Sequence, residues 1–179
     1  MRCLTKYLLK YGHRTFEYRE GRQDVQMNVA SEIFRDLDAD GVQFENKSYN
    51  TILDLYRRLW HETGEGVEIP AHHFINHTDP DVCNAAVDLL TSDDNYVPSE
   101  IWRKKEVHVE SEEEILAAGV PKAIILYKSK VVERMIKEQR DLLADADLSE
   151  ERQAEILRYL SDLNGIKVSL ANKLQRSIL

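Results

Sequence analysis

Residues 121–178 read PKAIILYKSKVVERMIKEQRDLLADADLSEERQAEILRYLSDLNGIKVSLANKLQRSI, and this stretch decides the fold class. Ile124, Tyr127, Val131, Met135 and Leu142 recur at helical spacing, as do Ile156, Tyr159, Leu163, Ile166, Leu170 and Leu174. Each set falls on one stripe of a 3.6-residue helix. The spacing predicts one helix over about 121–144 and a second over about 148–178. Between them, Asp147 reads as an N-cap, with Glu150 three residues on as in a capping box. So short a joint makes the two helices antiparallel neighbours. Gly119-Val120-Pro121 marks either the start of the first helix or a kink in a longer one, because proline suits the first helical position and disrupts the interior.

Burying one aliphatic side chain contributes roughly 1.5–3 kcal/mol. Ordering each residue costs roughly 1–2 kcal/mol of backbone entropy. A two-helix hairpin therefore sits near balance, and a third surface is expected to cover part of it. That surface is the preceding domain, a second copy of the chain, or a partner protein.

The first 120 residues predict an all-α bundle with one minor β-hairpin. A helix covers about 2–11 and stops near Gly12. Thr15–Arg19 alternates in type and reads as a short strand, with Val25-Gln26-Met27 as its partner beyond a turn at Glu20-Gly21. A helix over about 29–37 directs Ile33, Phe34 and Leu37 inward. Asn46 caps a long helix carrying Ile52, Leu53, Leu55, Tyr56, Leu59 and Trp60, which Gly64 and Gly66 end. Asp79-Pro80 opens another, burying Val82, Val87, Leu89 and Leu90. A brief helix is expected around Ile101-Trp102. The polar segment from Arg103 to Glu114 is a surface joint or the first turns of a connecting helix. The domain division is set there, with a helical bundle over 1–108 and a helical hairpin over 109–179.

The 179 residues include only two cysteines, Cys3 and Cys83, without CxxC spacing, which argues against a disulfide framework and fits a reducing cytoplasm. The longest apolar run is too short to span a bilayer, and no secretory signal is visible. Charge is uneven: residues 1–120 sum to −10 and residues 121–179 to +2. Within the hairpin, Lys122, Lys128, Lys130, Lys167, Lys173 and Arg176 gather at the open end, and Asp145, Asp147, Glu150, Glu151 and Glu155 at the turn. Helix-dipole complementation is the plainer reading of this pattern. A sharper reading sets the basic end against an acidic surface. A sequence pI near 5.3 argues against nucleic-acid binding as the main role, leaving weak contact with single-stranded DNA as a secondary one.

Catalytic signatures are absent. His73 and His77 are four apart, as in zinc-binding helices, but no Glu completes the HExxH pattern and Asp79-Pro80 begins a new helix just beyond. These histidines read as turn residues bonding to backbone. Glu112-Glu113-Glu114 fans around a helix and reads as a solvated face. Asp36, Asp38, Asp40 and Gly41 resemble part of a calcium loop, yet Lys47 stands where the twelfth-position Glu belongs. No phosphate loop or nucleophile elbow is present. No metal, cofactor or catalytic residue is assigned.

The order of the pieces resembles a known region. Leu8-Leu9-Lys10-Tyr11-Gly12, Glu32-Ile33-Phe34-Arg35-Asp36-Leu37, Phe74-Ile75-Asn76-His77 with Asp79-Pro80, Ala86-Val87-Asp88-Leu89-Leu90 and Val131-Val132-Glu133-Arg134-Met135-Ile136 together resemble the C-terminal, helicase-binding region of bacterial DNA primases. The resemblance covers nearly the whole chain and rests on helix pattern and phrase. It implies a helical bundle followed by a terminal hairpin. It also implies a role in docking primase onto the N-terminal domains of the hexameric replicative DNA helicase, which recruits primer synthesis to the fork. The zinc-binding domain and the acidic catalytic core of that family have no counterpart in these residues, so the segment is not expected to synthesise primers.

Partner-facing residues are expected among apolar or basic hairpin positions left exposed: Tyr127, Val131, Arg134, Lys137, Tyr159, Lys167 and Lys173. Two alternatives stand beside this reading. One is a structural homodimer pairing hairpins as a four-helix bundle. The other is a metal-dependent enzyme using the His72–His77 region.

Overall fold

The computed structural model describes residues 1–20, 23–41, 43–92, 111–144 and 148–176. These form seven helices and one two-stranded antiparallel sheet. In chain order they are α1 (Arg2–Tyr11), β1 (Thr15–Glu20), β2 (Gln23–Asn28), α2 (Val29–Asp40), α3 (Lys47–Thr63), α4 (His72–Ile75), α5 (Pro80–Thr91), α6 (Glu112–Leu143) and α7 (Glu150–Arg176). The architecture is therefore mostly helical with a minor β-hairpin, as the sequence predicts. Contacts divide the chain into two compact units, Met1–Val120 and Pro121–Leu179. The division expected at 108/109 and the brief helix around 101–102 lie outside the described residues.

In the first unit, α1 packs against α2, α3 and α5. Its fully buried Leu4 and Leu8, one turn apart, form the centre of that contact. The β-hairpin aligns Thr15 with Asn28, Phe16 with Met27 and Tyr18 with Val25. Asn28 then joins sheet to helix. Its side-chain oxygen caps α2 by accepting from Ser31 N–H at 3.1 Å, and its Nδ2 donates to the Arg14 carbonyl at 3.2 Å. Both halves of the amide are used, which permits its burial. Asn46 and Asp79 cap α3 and α5 through Tyr49 and Asp81 N–H groups, and Pro80 supplies the first position of α5. Gly41 ends α2 at a left-handed φ of 61°, with its N–H on the Asp38 carbonyl.

An aromatic layer fills the space between α2, α3 and α4. Phe34 lies 6.2 Å from Tyr56 and 5.5 Å from Trp60, and Tyr56 stacks on Phe74 at 5.9 Å. Arg57 covers Phe34 at 4.8 Å and pairs with Asp38 at 2.7 Å. On α5 the buried positions are Val82, Ala86 and Leu89. Val87, expected inside, is exposed; it steps about 100° away from Ala86 around the helix, and the smaller Ala86 takes the core position.

α6 does not begin at Pro121. Ser111 and Glu114 form a reciprocal capping box: Glu114 Oε2 accepts from Ser111 N–H at 2.7 Å, and Ser111 Oγ accepts from Glu114 N–H at 3.2 Å. The helix starts there and runs through Pro121. The first three glutamates favour that helix N-terminus electrostatically, and Glu112 also pairs with Arg14 at 3.2 Å. α7 begins two residues later than expected. Its cap is Ser149, whose Oγ accepts from Arg152 N–H at 3.3 Å. Asp147 lies outside the described residues.

Two close approaches depend on the lack of a side chain. A Cβ on Gly12 would collide with the Tyr56 hydroxyl, and one on Gly119 with the Tyr7 hydroxyl. Gly119→Ala is expected to lower stability by about 1–3 kcal/mol through overpacking. Pro121→Ala restores the missing helical N–H and is expected to raise it by about 1–3 kcal/mol. Thermal melts of the two variants should move in opposite directions.

Burial, and secondarily Glu68, push the Tyr56 phenol up to about 12. The unfolded phenol titrates near 10, so from there upward the unfolded chain releases this proton first. Stability contributed by the neutral phenol is complete below pH 10 and is lost as pH rises toward 12. The loss amounts to about 2–3 kcal/mol. Tyr56→Phe is expected to flatten the alkaline decline, measured as the denaturation midpoint at pH 9, 10 and 11.

Candidate docking surface

The second unit is a hairpin held by one seam. Its core is Val132 and Ile136 from α6 with Ile156, Leu160, Leu163 and Leu170 from α7, and Ile125, Met135, Leu143 and Leu148 pack at its margins. The seam has coiled-coil spacing. On α7 it runs Ile156, Leu160, Leu163, Lys167, Leu170, Leu174, and on α6 Ile125, Ser129, Val132, Ile136, Gln139, Leu143. Lys167 falls in phase with these positions by helical spacing, with its side chain about half exposed. Its ammonium leaves the seam sideways and pairs across the hairpin with Glu133 at 3.0 Å.

Of the stripes expected from sequence, Ile156, Leu163 and Leu170 are in this seam and Met135 packs at its margin, whereas Val131, Leu142, Tyr159 and Ile166 fall to one side of it. Val131, Met135 and Leu142 step about 80–120° behind the centre of the α6 seam, and Tyr159 and Ile166 step about 60–80° behind that of α7. On the other flank, Glu133, Ile136, Lys137, Arg140 and Asp141 of α6 share a groove of about 310 Å³ with Asn164 and Lys167 of α7. Positions ahead of the seam on both helices thus lie on one side of the hairpin. Positions behind it share the opposite side. There Leu142 is 50% exposed, Ile166 49% and Tyr159 40%, with Val131 and Met135 half-buried among them. The result is an apolar shoulder running along the hairpin.

α6 carries a second apolar stripe. Leu116, Val120, Ala123 and Tyr127, spaced four, three and four, are all buried. They lie about 160° around the helix from the hairpin seam, so α6 buries one face over its first half and nearly the opposite face over its second.

The seven expected partner-facing residues separate accordingly. Tyr127 is only 5% exposed, and burial pushes its phenol up; it packs inside rather than offering a surface. Val131 and Tyr159 lie on the apolar shoulder. Arg134 pairs with Glu138 one turn on, at 3.5 Å. Lys137 lines the groove, and Lys167 is engaged with Glu133. Lys173 is exposed on α7. Ile166 and Leu142 were expected inside the seam and instead complete the shoulder. Exposed Leu126, Leu157 and Val168 lie ahead of the seam, on the groove side.

The histidine region has a structural arrangement. His77 Nδ1 accepts from Asp79 N–H at 3.1 Å, and Cys83 Sγ donates to the Ile75 carbonyl at 2.8 Å. The rings of His72 and His73 approach to 4.2 Å on the single turn of α4. Among the described residues no group of three or more His, Cys, Asp or Glu side chains is placed to hold a metal ion. No described helix is long and apolar enough to cross a membrane.

A model of a domain of unknown function, DUF8430, matches residues 2–178. The chain belongs to that family. No curated protein and no solved structure matches it. The family therefore spans both compact units.

The polar seam residue gives a direct check of the packing. Lys167→Leu is expected to raise hairpin stability by about 1 kcal/mol, because it adds an apolar layer between Leu163 and Leu170. A thermal melt measures the change. An unchanged or lower midpoint would place Lys167 outside the seam.

Proposed function

We propose that this chain is a non-catalytic protein-docking module, and specifically the helicase-binding region of a DNA primase. The observation that carries the docking reading is the apolar shoulder of Leu142, Tyr159 and Ile166, bordered by Val131 and Met135. Exposed apolar side chains scattered singly are ordinary on a protein surface, but a row along one side of a hairpin marks an interaction surface. Tyr159 offers a rigid aromatic anchor with a polar tip, the residue type enriched at interface centres.

The choice of partner comes from the resemblance in sequence. A bundle followed by a hairpin is the architecture that resemblance implies, and it supports the assignment. The partner is then the N-terminal domains of the hexameric replicative helicase, in the cytoplasm, and primer synthesis is recruited to the fork through this contact. The shoulder suits an amphipathic helical surface, whose own apolar stripe would lie along it.

The test mixes the purified chain with the replicative helicase of the same organism and measures affinity by calorimetry. The double variant Tyr159→Ala, Ile166→Ser is expected to weaken binding at least tenfold, or about 1.4 kcal/mol, while leaving the melting temperature within about 2 °C. Leu157→Ser with Val168→Ser, on the other side, is expected to leave binding unchanged. Absence of any complex with the unaltered chain removes the helicase assignment. If the chain instead self-associates in sedimentation and the shoulder variant abolishes this, the surface belongs to a second copy.

A further inference from the structure

The side of the hairpin opposite the apolar shoulder carries a row of positive charge. Lys122, Leu126, Lys130, Glu133, Lys137 and Arg140 follow one another along α6 at steps of four, four, three, four and three. At 100° per residue all six fall within about 80° of arc, and at 1.5 Å per residue the row is about 27 Å long. Lys122, Lys130, Lys137 and Arg140 are exposed. Lys167 reaches the same groove from α7 and is paired with the row's acid, Glu133. The groove's other acid, Asp141, lies at its edge beside Arg140.

Apart from Lys167, the neighbouring face of α7 between 157 and 175 carries no charged side chain. Ser161, Asn164, Val168 and Gln175 lie on the groove side, and Asp162, the acid of α7 within 156–176, steps to the other flank. Asn164 donates to the Leu160 carbonyl at 2.7 Å, which fixes its amide and leaves its oxygen for other contacts. A chain of net charge −8 thus presents a straight cationic edge beside a face of α7 that mixes Ser161, Asn164 and Gln175 with exposed Leu157 and Val168. Dipole complementation does not account for it, because Lys130 and Lys137 lie in the middle of α6 rather than in its last turn.

We propose that this edge contacts the phosphate backbone of single-stranded nucleic acid. A linear row of cations with mobile side chains suits a linear polyanion, and the absence of an aromatic side chain from the row predicts contact with phosphates rather than bases. Binding is accordingly weak, independent of sequence and steeply dependent on salt. The proposal stands apart from the protein-docking reading, since the two surfaces occupy opposite sides of the hairpin and use different residues.

The experiment is fluorescence anisotropy of a labelled 20-nucleotide oligodeoxythymidylate titrated with the full chain at several salt concentrations. Four phosphate contacts give a slope of log K against log salt of about −2.8, hence about 50-fold weaker binding at 200 mM than at 50 mM salt. The triple variant Lys130→Gln, Lys137→Gln, Arg140→Gln alters exposed side chains only. It is expected to cut the slope to about −0.7 with an unchanged thermal melt. Arg158→Gln with Lys173→Gln, away from the row, should leave the slope as it was. Tyr159→Ala with Ile166→Ser should also leave it, whatever that variant does to protein binding. No binding of the oligonucleotide at 50 mM salt overturns the proposal. So does equal loss from the Arg158 and Lys173 changes. Tighter binding of an acidic peptide of matched charge, displacing the oligonucleotide, would assign the edge to a protein ligand and likewise overturn it.

Discussion

Two antiparallel helices share one seam, and each can bury only the stripe that faces the other. Every functional statement about the second unit follows from this limit. The α6–α7 hairpin contains more apolar side chains than a single seam accommodates. Val132, Ile136, Ile156, Leu160, Leu163 and Leu170 take the inner positions. What remains is sorted by geometry, with an apolar shoulder behind the seam and a cationic row with an open groove ahead of it. Neither side needs a special fold to arise. Both follow from the phase of the seam relative to the rest of each helix.

The first unit is built on a different economy. Short helices are tied together by side chains that perform two tasks. Asn28 ends the β-hairpin and begins α2; Arg57 lies over Phe34 and pairs with Asp38; Tyr56 stacks on Phe74 and presses its hydroxyl onto Gly12. The conspicuous His and Cys residues belong to this scaffolding. His77 accepts a backbone N–H at the entry to α5, and Cys83 donates to a backbone carbonyl at the end of α4. Their chemistry in this arrangement is that of turn closure.

Much of the helix inventory was legible in the sequence because its punctuation is strong. Gly12, Asn46, Gly64 and Asp79-Pro80 each stop or start an element for a reason that needs no tertiary context. The hairpin seam was legible only in part, through Ile156, Leu163 and Leu170, and the reason the rest was missed lies in three polar residues. Lys167 on α7 and Ser129 and Gln139 on α6 occupy seam positions. They break the true heptad, while Val131, Met135, Leu142, Tyr159 and Ile166 offer an unbroken apolar spacing one step aside. Apolar periodicity alone selects the cleaner stripe, and here the cleaner stripe is the one the hairpin leaves uncovered. Pro121 left two readings open, a helix start or a place inside a longer helix. The Ser111–Glu114 capping box decides for the longer one, which starts nine residues before Pro121 and absorbs the proline. Of the apolar hairpin positions expected to stay exposed, Tyr159 is exposed and Val131 half-buried, whereas Tyr127 is buried because its stripe is the one α6 covers over its first half.

The Lys167–Glu133 pair has a consequence for how the chain finds its native alignment. Sliding one helix past the other by seven residues keeps hydrophobic layers facing hydrophobic layers, so grease alone penalises such an error weakly. The slide would, however, exchange Glu133 for either Leu126 or Arg140 opposite the lysine. One misalignment strands an ammonium against a hydrocarbon, and the other sets two cations face to face. The charged residue in a zipper that also holds Ser129 and Gln139 therefore acts as its indexing tooth, tolerated at some expense in strength because it makes these other meshings worse.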